Sequence, residues 1–316
     1  MLLRLAAALS VPVEFFLRSI TVEPSQIQPA YRKKSVFSKR ESDTLNYQIA
    51  DWLERYLQIE HILSIQAPSL KRIAQTINRP EDVEAAAAGL REEWDVGWDP
   101  IANLTELLED HGIKILEVER SDSRFDGCAF WYGDQFAAIV VNSRVSTDRK
   151  RFSLAHELAH LVLEINPSLK DEAVANRFAG AFLVPKQAVL MELGTPRHHI
   201  SLPELCHLKQ KYGMSMQAWI YRARDLGVLS RERAEQLFRQ FSLNGWRKHE
   251  PGPALPPEAP RRMEMLVRRA YSEGIISDKR ASELMGISLR EWLQLTQSSM
   301  EDSNTDVCHH GHGVLD

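Results

Sequence analysis

The sequence has few cysteines, no long apolar run and no excess of positive charge. Its three cysteines, Cys128, Cys206 and Cys308, are widely separated and odd in number, which argues against a disulfide framework and a CxxC metal site. A reducing, cytoplasmic setting is expected. No stretch of about 18 uncharged apolar residues occurs, so we expect neither a transmembrane span nor a membrane partner. The net charge of −4 argues against binding nucleic acid through bulk positive charge.

The opening stretch, MLLRLAAALSVPVEFF, is apolar enough to suggest an export signal. It has a single early Arg4, then Pro12 and Glu14, and no small-residue cleavage site, so we expect a helix instead. Residues 1–20 resemble the last helices of a lambda-repressor-like helix-turn-helix domain, without the helices that would enter the DNA groove. We therefore expect no strong sequence-specific DNA binding by this chain alone.

Changes in composition divide the rest of the chain into segments with different expected structures. Proline and basic residues precede a helical pattern at the start, a proline-rich stretch (PGPALPPEAP) interrupts the helical pattern later, and the last residues are polar. The segments are 21–94, a linker and helical region; 95–230, the expected main domain; 231–260, a helix and proline-rich linker; 261–297, a small helical module; and 298–316, a disordered tail.

Residues 99–141 have the pattern of an α+β core. An amphipathic helix at Ile101–His111 precedes a strand at Ile113–Val118. Cys128–Tyr132 and Phe136–Val141 flank the turn residues Gly133 and Asp134, which predicts a β-hairpin. The expected core is therefore a small antiparallel sheet that leads into the helix at RFSLAHELAH.

That helix, Arg151–His160, carries the pattern H-E-x-x-H. His156 and His160 are four residues apart, so both imidazoles project from one helix face and can bind one ion. Glu157 lies beside them and can accept a proton from a water molecule polarised by the metal. The competing interpretation is a pair of surface histidines on an ordinary helix. Two histidines with a carboxylate favour zinc as the cofactor.

A catalytic zinc site needs a third protein ligand, and two glutamates are candidates. Glu164 continues the face of the two histidines, but it lies about 12 Å along the helix axis from His156. Glu172 follows the Asn166-Pro167-Ser168 break and begins a second helix, which can cross the first and deliver its carboxylate from another direction.

The combination of HELAH at 156–160 with an E-x-x-A-N-x-F-A segment from Glu172 resembles the ImmA/IrrE family of zinc metallopeptidases. The resemblance covers about residues 95–230. It implies a zincin-like fold, with Glu172 as the third zinc ligand and Glu157 as the catalytic residue. Asn176 would then face the site and orient a ligand through a hydrogen bond. The group that stabilises the oxyanion stays open among five residues: His198, His199, Tyr212, Tyr221 and Arg222.

The resemblance implies an intracellular, site-specific endopeptidase that cleaves a helix-turn-helix repressor and relieves repression under stress or during mobile-element induction. We expect the substrate to add as a strand to a sheet edge, with Phe136–Val141 as the candidate edge. The alternative is a DNA-binding regulator or antitoxin-like protein that uses the peptidase fold as a sensor or docking module.

Overall fold

The computed structural model describes residues 1, 3–4, 22–27, 38–66, 68–121, 125–133, 135–194 and 196–297. The chain divides into two compact units. The helical unit consists of Met1–Ile27, Arg40–Ile65 and Met263–Asp316, and the α/β unit consists of Gln28–Lys39 and Gln66–Arg262. Most of the expected helix-turn-helix remnant at 1–20 and the whole tail at 298–316 lie outside the described residues.

The secondary structure is mixed α and β, as the sequence predicted. A short 3-10 turn at Pro24–Gln26 precedes the first long helix, and a helical stretch at 289–297 follows the last bounded one. Between them the elements are α1 (Lys39–Ile62), β1 (Thr76–Ile77), α2 (Asp82–Glu93), α3 (Leu104–Asp110), β2 (Lys114–Val118), β3 (Gly127–Tyr132), β4 (Phe136–Asn142), α4 (Thr147–Val162), β5 (Glu164–Ile165), α5 (Asp171–Leu183), α6 (Lys186–Leu193), α7 (Leu202–Tyr212), α8 (Met216–Asp225), α9 (Arg231–Leu243), α10 (Arg262–Ser272) and α11 (Asp278–Met285).

The main sheet of the α/β unit has the strand order β2-β4-β3. The predicted hairpin is confirmed, since β3 and β4 pair antiparallel with Tyr132 opposite Phe136. The prediction of an antiparallel sheet is wrong for β2, which pairs parallel to β4. The prediction that Phe136–Val141 forms an edge is also wrong. Strand β4 lies at the centre of the sheet. Its residues are buried along almost the whole strand, because both of its faces are covered.

Helix α4 packs against β3, β4 and α5. Leu154, Leu158 and Val162 have no exposed surface. Burial of side chains of this size contributes about 1.5–3 kcal/mol each relative to exposure. The helix that carries H-E-x-x-H is therefore a core element of the α/β unit.

The proline-rich segment at residues 250–260 has no regular secondary structure and crosses this unit; we call it the strap. Glu258 is 7% exposed, and its carboxylate accepts hydrogen bonds from the backbone N–H groups of Leu104 and Thr105, at 3.1 and 3.3 Å. The same carboxylate pairs with the buried guanidinium of Arg151 on α4. Because backbone N–H groups at the start of a helix lack partners within the helix, Glu258 completes the first turn of α3.

A second carboxylate at the start of the strap does the same for α8. Glu250 accepts from the N–H groups of Met216 and Gln217, at 2.9 and 3.0 Å. It also pairs with Lys209 at 3.0 Å, and Lys209 contacts Asp148 at 3.2 Å. Burial alone would lower the pKa of Lys209, but these two carboxylates outweigh burial and raise it. The strap is thus held at both ends by buried ionic contacts.

Within the helical unit, α11 packs against α1. Arg55 donates to the carbonyl of Leu284 at 2.7 Å, and Arg280 donates to the amide oxygen of Gln58 at 2.9 Å. Gly286 follows α11 with φ of 68°, a conformation that favours glycine, and Trp292 in the next helical stretch is fully buried. No helix in the described part of the chain is both long and apolar enough to cross a bilayer.

Candidate metal centre

The two histidines of H-E-x-x-H meet on one face of α4. Their Nε2 atoms are 3.2 Å apart, and the rings cross at an interplanar angle of 72°. His156 is buried and His160 is half-buried. The helical spacing thus brings two imidazole nitrogens within reach of one ion, as the sequence predicted from their separation of four residues.

Helix α5 brings a carboxylate to the same place. The chain turns after α4 through Asn166–Leu169, where the N–H of Leu169 donates to the carbonyl of Asn166. Glu172 lies in the first turn of α5, and its Oε2 atom is 3.4 Å from His156 Nε2. The competing candidate, Glu164, is in β5 and lies opposite Thr76 of β1. The two histidines and Glu172 have ligand atoms within 4.8 Å of one another.

These distances fit a small tetrahedral ion. Zinc binds imidazole nitrogen and carboxylate oxygen at about 2.0–2.2 Å, which places neighbouring tetrahedral ligands about 3.3 Å apart. The separations from His156 Nε2 to the other two ligand atoms, 3.2 and 3.4 Å, are close to that value. Two neutral imidazoles and one carboxylate also form a typical donor set for a catalytic transition metal that keeps a fourth position open.

Asn176 fixes the orientation of the first histidine. Its side-chain oxygen lies 3.0 Å from His156 Nδ1, across from the Nε2 atom that faces the other ligands. An amide oxygen only accepts hydrogen bonds, so Nδ1 carries the proton and Nε2 keeps its lone pair for a metal. Asn176 lies one turn after Glu172 on α5, so this helix supplies both a candidate ligand and the group that orients another.

Glu157 points towards the edge strand β3. A Cβ atom added at Gly127 would lie 3.3 Å from the Cγ atom of Glu157, so the absence of a side chain at Gly127 leaves room for the glutamate. Cys128 lies next in the strand, and burial, together with the negative charge of Glu157, raises the pKa of its thiol well above the usual value. A high pKa keeps the thiol neutral beside the carboxylate. No pattern in the sequence indicated this role of Gly127.

Two of the five candidates for oxyanion stabilisation form hydrogen bonds with residues outside the proposed metal centre. Arg222 forms a two-pronged ion pair with Glu84, at 2.6 Å on each side, and donates a further bond to the carbonyl of Val184. Tyr212 donates to Glu192 at 2.9 Å.

The other three candidates lie at the surface. Tyr221 is 49% exposed and its ring packs on Phe238. His198 and His199 are exposed between α6 and α7. Among the described residues, the group of candidate metal ligands contains neither His198 nor His199.

Two helix-borne histidines, a carboxylate from a second helix and a further glutamate beside them are the arrangement typical of metallopeptidase sites. Residues 108–224 match the Peptidase_M78 family model, described as the IrrE N-terminal-like domain. This span is therefore similar to the ImmA/IrrE family, and all five predicted site residues lie within it. No curated protein matches the chain.

Proposed function

We propose that this chain is a zinc-dependent endopeptidase with a zincin-like core. The observation that carries the proposal is the convergence of His156, His160 and Glu172, with Glu157 beside them. A bound zinc ion would polarise the scissile carbonyl and a water molecule. The three ligand residues would hold the ion, and the Asn176 amide would keep His156 in the tautomer that binds it.

Glu157 is the general base in this proposal. Its carboxylate would accept a proton from the attacking water and then pass a proton to the nitrogen of the cleaved peptide bond. The side chain is 8% exposed, so little bulk water competes for that proton. Its place between the histidines and β3 allows contact with a peptide that lies along the strand.

The edge for a substrate strand is β3 rather than β4. The N–H of Asn142 donates to the carbonyl of Asp126, so the residue pair before β3 is a hydrogen-bonded pair. Such pairs alternate along an antiparallel ladder, and all pairs of β3 and β4 follow the same register. The backbone groups of Gly127, Ala129 and Trp131 therefore point away from β4, towards the outer edge of the sheet, where no other described strand pairs with β3. An extended peptide would pair with them.

We further propose that the substrate is a helix-turn-helix repressor in the cytoplasm, and that its cleavage relieves repression in a stress or mobile-element response. The family resemblance supports this assignment. The cut would fall in a loop or at an exposed helix end, because local unfolding of such a segment costs little free energy.

The test is to incubate the zinc-loaded chain with the repressor encoded beside it and to map fragments by mass spectrometry. A single cut that is absent with Glu157→Gln supports the proposal. Ready degradation of unrelated unfolded proteins, without a defined cut in the repressor, contradicts a dedicated substrate. No cleavage of any protein by the zinc-loaded chain contradicts the peptidase itself.

A further inference from the structure

A cationic side chain stands at the far end of the edge strand. The guanidinium carbon of Arg72 lies 5.3 Å from the ring centroid of Trp131, and Arg72 itself is exposed. Cation–aromatic stacking of this kind holds an arginine in place while its N–H groups stay available to a second partner. In the described part of the chain, no carboxylate forms an ion pair with Arg72.

The position of this stack is fixed by the metal-binding helix. The indole N–H of Trp131 donates to the carbonyl of Leu161, the residue after His160, at 3.2 Å. The backbone just beyond Arg72 is held as well, since the N–H of Ile73 donates to the carbonyl of Val162 at 2.7 Å. Arg72 and Trp131 are therefore both anchored to the end of α4.

The strand places the stack on the same face as Glu157. Gly127 and Trp131 are four residues apart, and side chains an even number of residues apart lie on one face of a strand. A Cβ atom at Gly127 would point at Glu157, and the side chain of Trp131 contacts Leu161, so both positions face α4. Glu157 and Arg72 thus lie along one face of β3, separated by about four residues or about 13 Å.

We propose that Arg72, stacked on Trp131, selects an acidic side chain in the substrate about four residues from the cleaved bond, with that bond lying opposite Gly127 and beside Glu157. The inference rests on the proposed function, because it takes β3 as the strand that binds the peptide. A substrate residue opposite Trp131 has its side chain on the face of Trp131 and so beside Arg72. The acidic residue precedes the cut if the peptide adds antiparallel to β3, and follows it if the peptide adds parallel.

The preference is measured with a random dodecapeptide library and the zinc-loaded wild-type chain, by sequencing the products. We expect Asp and Glu to be enriched about three- to fivefold at one position about four residues from the cut, as for a partly exposed ion pair. Arg72→Glu should reverse the preference towards Lys and Arg, a result that a purely structural role of Arg72 does not produce. Arg239→Glu, the same charge change at an exposed arginine on α9, should leave the preference as it is in the wild type.

A binding measurement separates this inference from the proposed function. Two fluorescent peptides that differ only by Glu or Gln at that position are titrated against zinc-loaded Glu157→Gln, which needs no turnover. Tighter binding of the Glu peptide, lost with the additional change Arg72→Glu, supports the inference at whatever rate the wild type cleaves. Equal binding of the two peptides, or cleavage without an acidic preference, overturns it and leaves the peptidase proposal standing.

Discussion

Replacement of Glu258 by alanine should destabilise the α/β unit strongly, although this residue lies outside the span that matches the family. Its carboxylate serves two backbone N–H groups at the start of α3, and it pairs with Arg151, whose side chain is only 3% exposed. Arg151 precedes His156 by five residues on α4. Loss of the carboxylate leaves a guanidinium and two N–H groups buried with fewer partners.

The size of the destabilisation follows from the contacts that the Glu258 carboxylate makes. Removal of one partner of a buried ion pair costs about 3–5 kcal/mol, because the remaining charge stays out of water. Arg151 keeps a bond to the carbonyl of Ile101 at 2.8 Å, which limits the loss. We therefore expect Glu258→Ala to lower the free energy of unfolding by about 3–5 kcal/mol. Glu258→Gln, which keeps an acceptor oxygen, should cost less.

Urea unfolding followed by fluorescence measures this change. The matched control is Glu235→Ala, which breaks an exposed Arg231–Glu235 pair on α9 and should cost no more than about 0.5 kcal/mol. If Glu258→Ala were as mild as the control, the strap would be a loose connection and our account of its buried contacts would be wrong.

Three further predictions concern the site and its surroundings. Glu172→Ala should lower the zinc content of the purified protein severely while Glu164→Ala leaves it unchanged, and the reverse order by metal analysis would overturn the ligand assignment. Asn176→Leu should weaken zinc binding about 10–100-fold in a chelator competition whereas Asn176→Asp, which keeps an acceptor, should not; equal affinities would deny the orienting role. The raised pKa of Lys209 means that its stabilising contribution is complete below the usual lysine value of 10.5 and is lost as the pH rises through the higher folded value. Thermal melts at increasing alkaline pH should thus fall more steeply for the wild type than for Lys209→Met, and parallel curves would contradict this.

Local patterns predicted the parts of the site that lie on one element. The spacing of His156 and His160 requires only a helix, and the hairpin around Gly133 requires only a turn between two apolar runs. Such features depend on neighbours a few residues away. Helical periodicity and turn residues therefore sufficed for them.

Contacts between distant segments were not predictable in the same way. The parallel pairing of β2 moves β4 to the centre of the sheet, and no pattern within either strand encodes that order. Glu258 contacts a helix 154 residues earlier in the chain, and its neighbouring prolines indicated only a linker. The placement of Glu172 beside His156 depends on how two helices pack, so helix geometry could disfavour Glu164 and admit Glu172, and the family resemblance then implied Glu172 as the ligand.

We propose Glu157 as the proton-transfer group of a zinc peptidase. The direct test compares peptide hydrolysis by the wild type and by Glu157→Gln, both adjusted to the same measured zinc content. We expect the variant to bind zinc as the wild type does and to lose at least about 100-fold in rate, because the ligands remain and the base is gone. Hydrolysis at the wild-type rate by the zinc-loaded variant would contradict the account.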